Sequence, residues 1–348
     1  MPVRPRIPTY NVGYKKADQA GFLDITKDIQ ELVERIEITE ELEGQSDTLS
    51  LVLSNFDYRW FNAWTPAHGD RITVSIGYIG EPFTDPVTFE VDEPTYKFAP
   101  DTMSLKGQAT PITQSLRQRN SRGYEGFTLA DFARDVAERH GLELVGQVPE
   151  IQFDRVTQKN EMDLGWLKKL ALRYGVIFKV ESCTKLVFYV ESELEAQPPA
   201  FTINRAFLPG SSSQLKKSAA DTYKGAKVTY KDPKTQDLYE VEVETDNPEV
   251  ATGDTLSITG ERFENEGQAQ LRAEEALRKA NSGLVEGTLD LEGEVVYRAG
   301  NNFALPTDKT EFGTLGGKYQ IRTVRHIVIP KRGTKMGWRS SLEVRKIF

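Results

Sequence analysis

Cysteine is almost absent. The chain of 348 residues has one, Cys183, and only three histidines, His68, His140 and His326. A lone thiol excludes an internal disulfide and a cysteine-built zinc cage, and His68 and His326 have no Asp or Glu at metal-ligand spacing, so no metal site is expected. Long apolar runs are missing too. None approaches the roughly 20 residues that a spanning helix needs, and no apolar stretch follows the basic residues near the start. Neither stable membrane insertion nor a secretory signal is expected, and synthesis is placed in a cytoplasm. Positive charge is in deficit: 44 Lys and Arg against 52 Asp and Glu leave a net charge of -8. Gripping nucleic acid depends on neutralising phosphates with Lys and Arg, so no specific nucleic-acid partner is expected. Basic stretches at 4–16, 216–234 and 322–346 read as solvated faces or polar protein contacts.

The sequence signatures of catalysis are missing as well. Residues 313–318 are glycine-rich and end in Lys318, but they lack the phosphate-loop spacing and read as a hairpin turn. There is no Gly-x-Ser-x-Gly elbow, and Cys183 has no obvious histidine partner. With 52 acidic residues, chance carboxylate pairs are certain, so they give a glycosidase no positive support. No catalytic residue and no cofactor is expected.

What is present is pattern. Hydrophobic residues at 38% and charged residues at 28% describe an ordinary soluble chain, long enough for two or three domains. The organising stretch is 158–175. Asn160 is placed to cap a helix, with Asp163 near the exposed amides of its first turn. Leu164, Leu167, Leu170, Ala171 and Tyr174 recur at helical spacing, and Gly175 sits where a left-handed residue ends a helix. Apolar runs at 176–180 and 185–190 then read as a hairpin, with Cys183 in its turn. Upstream, Thr128 and Asp131 read as the start of a helix with Leu129, Phe132, Ala133, Val136 and Ala137 on its apolar face and a stop at His140–Gly141. His140 at a helix C-terminus has a structural reading. Residues 191–199 and 209–213 break the pattern and read as linker or loop.

Both flanks alternate with period two. Ile36 and Ile38, then Leu49, Leu51 and Leu53, then Ile72, Val74, Ile76 and Tyr78, then Val87, Phe89 and Val91 each mark a strand with one buried face. Ala226, Val228 and Tyr230, then Tyr239, Val241 and Val243, then Leu256 and Ile258 do the same later, with further strands at 288–296, 303–305, 319–329 and 338–347. The expected fold is α+β, mainly β: two small antiparallel β-barrel modules, residues 1–100 and 201–348, flanking a mixed α/β middle module, residues 101–200. An alanine-rich helix at about 264–281 is expected to cross over the second barrel. Gly69-Asp70-Arg71-Ile72-Thr73-Val74 and Gly253-Asp254-Thr255-Leu256-Ser257-Ile258 share a turn and an alternation, which suggests related modules. The aromatic cluster of Tyr58, Trp60, Phe61 and Trp64 has two readings, a loop that plugs a barrel end and an exposed interface anchor.

The run Gln158-x-Asn160-Glu161-x-Asp163-Leu164, continuing as Leu167-x-x-Leu170-Ala171-x-Arg173-Tyr174-Gly175, resembles the late control protein D family of phage tail proteins. The block 121–141, ending His140-Gly141-Leu142, resembles the same family in the same order. Gly165 and Trp166 depart from the more ordinary Leu or Phe pattern. The family supplies hubs of contractile-tail baseplates, similar to the central hub protein of T-even phage baseplates and the hub part of type VI secretion spike proteins. The resemblance implies a homotrimer of double-barrel chains, forming a pseudo-sixfold ring that joins a sixfold tail tube to a threefold spike. Implied partners are a trimeric spike protein, a tail tube or tube-initiator protein, a tape measure and other baseplate proteins. The implied location is a virion, or a tail-like particle such as a bacteriocin, assembled in a bacterial cytoplasm. Gln158, Asn160, Asp163, Leu164, Leu167, Leu170, Tyr174 and Gly175 would then be structural. A tail-associated peptidoglycan hydrolase and a β-rich receptor-binding protein are the alternatives.

Overall fold

The computed structural model describes residues 6–43, 46–62, 64–111, 116, 118–208, 212–218, 222–231, 235–247, 249–250, 253–330 and 337–348. Residues 1–5 and residues 209–211 of the 209–213 break lie outside these. In the first third, β1 (Pro8–Lys15), β2 (Leu23–Asp24), α1 (Thr26–Ile29), β3 (Val33–Glu41), β4 (Thr48–Ser54), β5 (Arg71–Tyr78), β6 (Val87–Lys97) and β7 (Thr102–Gln108) follow one another. The middle holds β8 (Arg119–Thr128), α2 (Leu129–His140), β9 (Glu143–Val145), β10 (Gln152–Met162), α3 (Asp163–Leu172), β11 (Val176–Glu181), β12 (Lys185–Val190) and α4 (Glu191–Ala196). Then come β13 (Phe201–Thr202), β14 (Gln214–Lys217), β15 (Gly225–Lys231), β16 (Leu238–Glu244), β17 (Thr255–Thr259), α5 (Glu266–Asn281), β18 (Val285–Glu292), β19 (Asn302–Leu305), β20 (Gly317–Ile329) and β21 (Gly337–Lys346).

The alternation read from the sequence makes these strands. Ile36, Leu49, Leu51, Leu53, Ile72, Val74, Ile76, Phe89 and Val91 are all essentially inaccessible, as one face of a half-buried strand requires. The expectation of a mainly β, α+β chain holds; closed barrels are not seen. Among the described residues, one 13-stranded sheet runs in the order β14-β18-β21-β20-β3-β4-β7-β6-β5-β1-β2, with β19 also on β20 and β13 on β19. The reason lies in β3. One of its edges takes β4 and the other takes β20, so strands from the start and end of the chain join in one open sheet.

Three smaller sheets stand apart: β8 with β10, β11-β12-β9, and β16-β15-β17. The helix expected at about 264–281 is α5, and it lies on the sheet of β15–β17, strands of the expected second module. Ala269, Ala273, Ala276 and Leu277 pack there against Ala226, Val228, Tyr230 and Phe263. Two Gly-Asp turns likewise lead to unlike places. That at Gly69 opens β5, which pairs antiparallel with both β1 and β6, whereas that at Gly253 opens β17, which pairs parallel with β15 at the rim of a small sheet. Residues 313–318, expected as a hairpin turn, are the end of a longer connection, 306–316, between the antiparallel β19 and β20: Gly313–Leu315 form a 3-10 turn and Gly317 and Lys318 already belong to β20. The expected linker at 191–199 begins as helix α4, because Glu191 finds arginine partners that local sequence does not reveal.

Helix α2 is built as its sequence dictates. Thr128 accepts from the Asp131 amide and Asp131 accepts from the Thr128 amide, a complete capping box, and Gly141 closes the helix at φ 63°. Its apolar face meets that of α3 in a core containing Phe132, Val136, Trp166, Leu167, Leu170, Tyr174 and Phe188.

Leu167 is 0% exposed in that core. Leu167→Asp would bury a carboxylate with no partner, and a loss of about 4 kcal/mol or more is expected. Urea unfolding of the purified variant checks this; a midpoint equal to that of the parent chain would contradict the placement.

Candidate functional site

Asn160, expected as a helix cap, is in β10 with φ 48°, at a bulge in the β8–β10 ladder between Gln158 and Glu161. Asn tolerates this left-handed conformation better than most residues. Its amide donates to Ser121 Oγ at 3.0 Å, and Met162 occupies the N-cap position of α3. The bulge leaves Asp163 as the first residue of the helix, 1% exposed. One Asp163 oxygen accepts from Asn120 Nδ2 at 3.1 Å and Gln158 Nε2 at 2.8 Å. The other accepts from Arg139 Nη1 at 2.5 Å and His140 Nε2 at 3.0 Å. A carboxylate only accepts, so the His140 proton sits on Nε2.

Burial pushes the Asp163 carboxyl up, but hydrogen bonds from Gln158, Asn120 and His140 and the Arg139 charge outweigh it and hold it below the usual range. Arg139 also reaches Asp135 at 2.8 Å and the Tyr124 hydroxyl at 3.2 Å. This cluster fastens β8, α2, β10 and α3 to one another. Around it Leu167, Leu170 and Tyr174 are buried and Leu164 is half-buried. Trp166, the departure from the expected pattern, stacks on Tyr124 at 5.3 Å. Gly175 ends the segment at φ +69°, and a Cβ there would fall 2.7 Å from Glu275 Oε2.

A second cluster went unread in the sequence. Glu191, the first residue of α4, receives Arg278 Nη2 of α5 at 2.5 Å, Arg322 Nη1 of β20 at 2.5 Å and Arg345 Nη2 of β21 at 2.6 Å. Arg278 also bonds Glu195 at 2.8 Å and Glu275 at 2.6 Å, and Arg322 bonds Glu43 at 2.6 Å. Burial pushes the Glu191 carboxyl up, yet the Arg278 hydrogen bond and the three guanidinium charges hold it at about 2. Glu275, with fewer cations beside it, is raised by burial. The partners are remote in sequence, and only the acidic run at 191–195 hinted at a helix start here.

The aromatic cluster divides. Trp60 is 3% exposed, donates from Nε1 to Ser54 O at 3.3 Å and meets Trp64 edge-on at 5.5 Å. Tyr58, held at φ 58°, and Phe61 point outward at 53% and 37% exposure. Phe61 lies 6.2 Å from Tyr58, 5.2 Å from Tyr96 and 5.9 Å from the exposed Phe98. Large exposed apolar patches of this kind are uncommon on isolated chains.

Elsewhere titratable groups are locked in place. Trp338 Nε1 donates to His326 Nδ1 at 3.1 Å, which puts the His326 proton on Nε2 facing Tyr297 O at 3.1 Å. Burial lowers this imidazole to about 4. Cys183 does occupy the β11–β12 turn, and that turn is pressed against the large sheet: its amide donates to Ala109 O at 2.7 Å. Burial pushes the thiol up to about 11, which leaves it protonated at neutral pH. Among the described residues no three His, Cys, Asp or Glu are grouped to hold a metal ion, and no helix is long and apolar enough to cross a membrane.

No protein-family model matches the chain. Two curated relatives are both named probable baseplate hub protein. That of Escherichia phage 186 is 23% identical over 221 residues, covering 61% of this chain and 56% of the relative. That of Escherichia phage P2 is 26% identical over 154 residues, covering 44% of this chain and 39% of the relative. The matches thus span about half the length of these relatives or less. Among solved structures, the 43 kDa tail protein of prophage MuSo2 from Shewanella oneidensis superposes with a TM-score of 0.69 at 14% identity, covering 97% of this chain and 98% of that one. An Escherichia coli type VI secretion component, described as similar in structure to the T4 tail proteins gp27 and gp5, superposes with a TM-score of 0.53 at 9% identity, covering 91% and 74%. At these identities the likeness is one of fold. The resemblance to baseplate-hub proteins read from the sequence is borne out by the curated relatives.

Acid should weaken the fold in two windows. His326 is neutral when folded, with its pKa lowered from 6.5 to about 4, so stability falls as pH drops from 6.5 through 4. Glu191 is lowered from 4.5 to about 2, so its contribution is whole above 4.5 and is lost as pH falls through 2. Each window is worth about 3 kcal/mol. In urea titrations across pH, His326→Gln is expected to flatten the upper window and Glu191→Gln the lower one. At neutral pH, Glu191→Gln should also cost about 3–5 kcal/mol by leaving buried guanidinium charge uncompensated. An unchanged midpoint-versus-pH curve in both variants would overturn these assignments.

Proposed function

We propose that this chain is a structural hub of a contractile phage tail or tail-like particle, with no catalytic role. The observation that carries the reading is the agreement between curated hub relatives and whole-chain fold likeness to a prophage tail protein. In this reading three copies form a ring that joins the sixfold tail tube to the threefold spike. A contact between one surface of a subunit and a different surface of the next makes a ring where the rotation between neighbours closes. The large sheet builds the ring wall, and the middle residues, 101–200, carry further contacts to neighbours or spike. The motif residues Gln158, Asn160, Asp163, Leu164, Leu167, Leu170, Tyr174 and Gly175 act by holding that middle segment rigid. Assembly takes place in the bacterial host, and the finished protein resides in the particle.

The outward aromatics are the proposed anchors. Tyr and Phe give large contact area at small entropic cost, and hot spots concentrate in such residues. Tyr58 and Phe61, with Phe98 beside them, supply the exposed part, while buried Trp60 and half-buried Trp64 hold the loop that presents them.

Light scattering of the purified chain, alone and with a trimeric spike protein, is the direct test. A mass of three times 39.2 kDa, alone or together with the spike, is the expected result. A monomer that ignores the spike, or clearing of peptidoglycan by the chain, would overturn the reading. The paired change Tyr58→Ser with Phe61→Ser should weaken association at least tenfold, about 1.4 kcal/mol, while leaving the thermal midpoint within a few degrees because both side chains are exposed. Loss of the fold instead would show that the loop serves as a plug alone.

A further inference from the structure

The unit made of β15, β16, β17 and α5 has a core of its own. Its buried members, Ala226, Val228, Tyr230, Ile258, Phe263, Ala269, Ala273, Ala276 and Leu277, include no residue of the large sheet. What joins it to its surroundings is polar. The chain enters it just before β15 and leaves it at the end of α5, and Asn281 ties these two crossings together. Its Oδ1 accepts from the Tyr223 amide at 2.8 Å and its Nδ2 donates to Tyr223 O at 2.9 Å.

One turn before this pin, Arg278 reaches out of α5 to Glu191 and Glu195 of α4 at 2.5 and 2.8 Å. Helix α4 is itself fixed to the large sheet, where Asn302 Nδ2 donates to Leu194 O at 2.7 Å and to Gln197 O at 2.8 Å. At the far end of the unit, Glu261 bonds Arg173, just after α3, at 2.7 Å, and Arg272 at 3.1 Å. Half-buried Glu249 pairs with Lys217 and, at 3.6 Å, with Lys346 at the end of β21, and Gln268 of α5 donates to the Gln152 carbonyl of β10.

The seam beside Arg278 is hollow. A cavity of about 630 Å³ lies between Arg278, Lys279 and Ser282 on one side and Gln214, Thr288 and Val344 on the other. A second, of about 250 Å³, lies between Leu277 and Asn281 and the end of β21 at Lys346. Arg278, Ser282 and Arg345 line both. A seam filled by apolar side chains resists sliding through many small contacts, whereas a hollow seam is held by its few directional polar contacts.

We infer that the described residues of 222–281 form a hinged arm, pinned at Asn281 and Tyr223 and latched by Arg278 to Glu191 and Glu195, by Glu261 to Arg173, by Gln268 to the Gln152 carbonyl and by Glu249 to Lys217 and Lys346. It opens away from the large sheet as an intact body. Polar interfaces between units with separate cores are those across which units move. Glu191 also holds Arg322 and Arg345 within the sheet side, so the carboxylate stays compensated when Arg278 leaves. The latch therefore releases without stranding Glu191 as an unpaired buried charge. The inference does not depend on the hub reading and concerns the isolated chain.

The test is electron–electron resonance spectroscopy with spin labels at Ser257→Cys on β17 and Arg339→Cys on β21, both exposed positions; the native Cys183 is buried and out of reach of the label. Distances are compared between the labelled parent and the same chain carrying Arg278→Gln, Arg173→Gln, Gln268→Ala and Glu249→Gln, which together remove the latching contacts. A second, longer distance population in the unlatched chain is expected, with the amides of β15 as protected from hydrogen exchange as in the parent. A single unchanged distance would show a fixed arm. Loss of β15 protection would show that the arm melts when unlatched, which equally overturns the inference. A third chain, with Asn281→Ala added, separates pin from latch: the longer population should broaden.

Discussion

The pairing of β3 with β20 is the constraint on which the rest of the molecule depends. It aligns Ile36 with Val328 and Glu41 with Thr323, and the Thr323 hydroxyl donates to Glu41 across 282 positions of sequence. The entropy of closing so long a loop grows only with the logarithm of its length, so one well-registered ladder suffices. Its consequences are large. With β4 on its other edge, β3 becomes a central strand, and the strands before and after the middle segment become one sheet. Register in such a sheet is strongly held, because a slip of one residue would turn Ile36 and Ile38 out and Glu37 and Thr39 in.

Around that sheet, apolar packing works within units and ionic contacts work between them. The middle core and the α5 core each stand alone. Across their boundaries lie Lys179 with Asp47 at 3.0 Å, Arg278 with Glu191, and Arg173 with Glu261. A buried ion pair adds little net stability over a well-packed apolar pair, but it penalises any arrangement that separates its partners. The apolar cores thus make each unit stable, and the ion pairs select how the units are placed. Asp163 is the exception inside a unit. There the carboxylate serves four elements at once because the bulge at Asn160 turns it inward.

Much of this was legible in the sequence, and the failures have physical causes. Strands with one buried face write themselves as alternation, so Leu49, Leu51 and Leu53 or Ile72, Val74 and Ile76 could hardly be missed. Helix α2 was legible because capping chemistry is local: Thr128, Asp131 and Gly141 act within a turn of where they sit. Helix α3 was legible at its end and misread at its start, since Asn160 suits a cap and a left-handed bulge equally well, and only the register with β8 decides between them. The pairing of strands from the two ends of the chain was not legible, because alternation shows that a strand has a buried face and says nothing of which strand lies beside it. The expected linker at 191–199 failed for a related reason. Glu191 is acceptable in a buried helix only because Arg278, Arg322 and Arg345 converge on it, and their spacing along the chain carries no sign of that.

The fold likeness at 14% identity over nearly the whole chain sharpens this contrast. A pattern of buried and exposed faces can be kept by many residue sets, because apolar side chains of similar volume replace one another at modest cost. An ionic knot cannot be kept piecemeal. Glu191 is tolerable only with its guanidinium partners, and buried Arg345 depends in turn on Glu191 and Glu195, while Arg278 and Arg322 lean also on Glu275 and Glu43. A shared fold at this identity speaks for the sheet and the helices and leaves the clasping of the units to this chain's own residues.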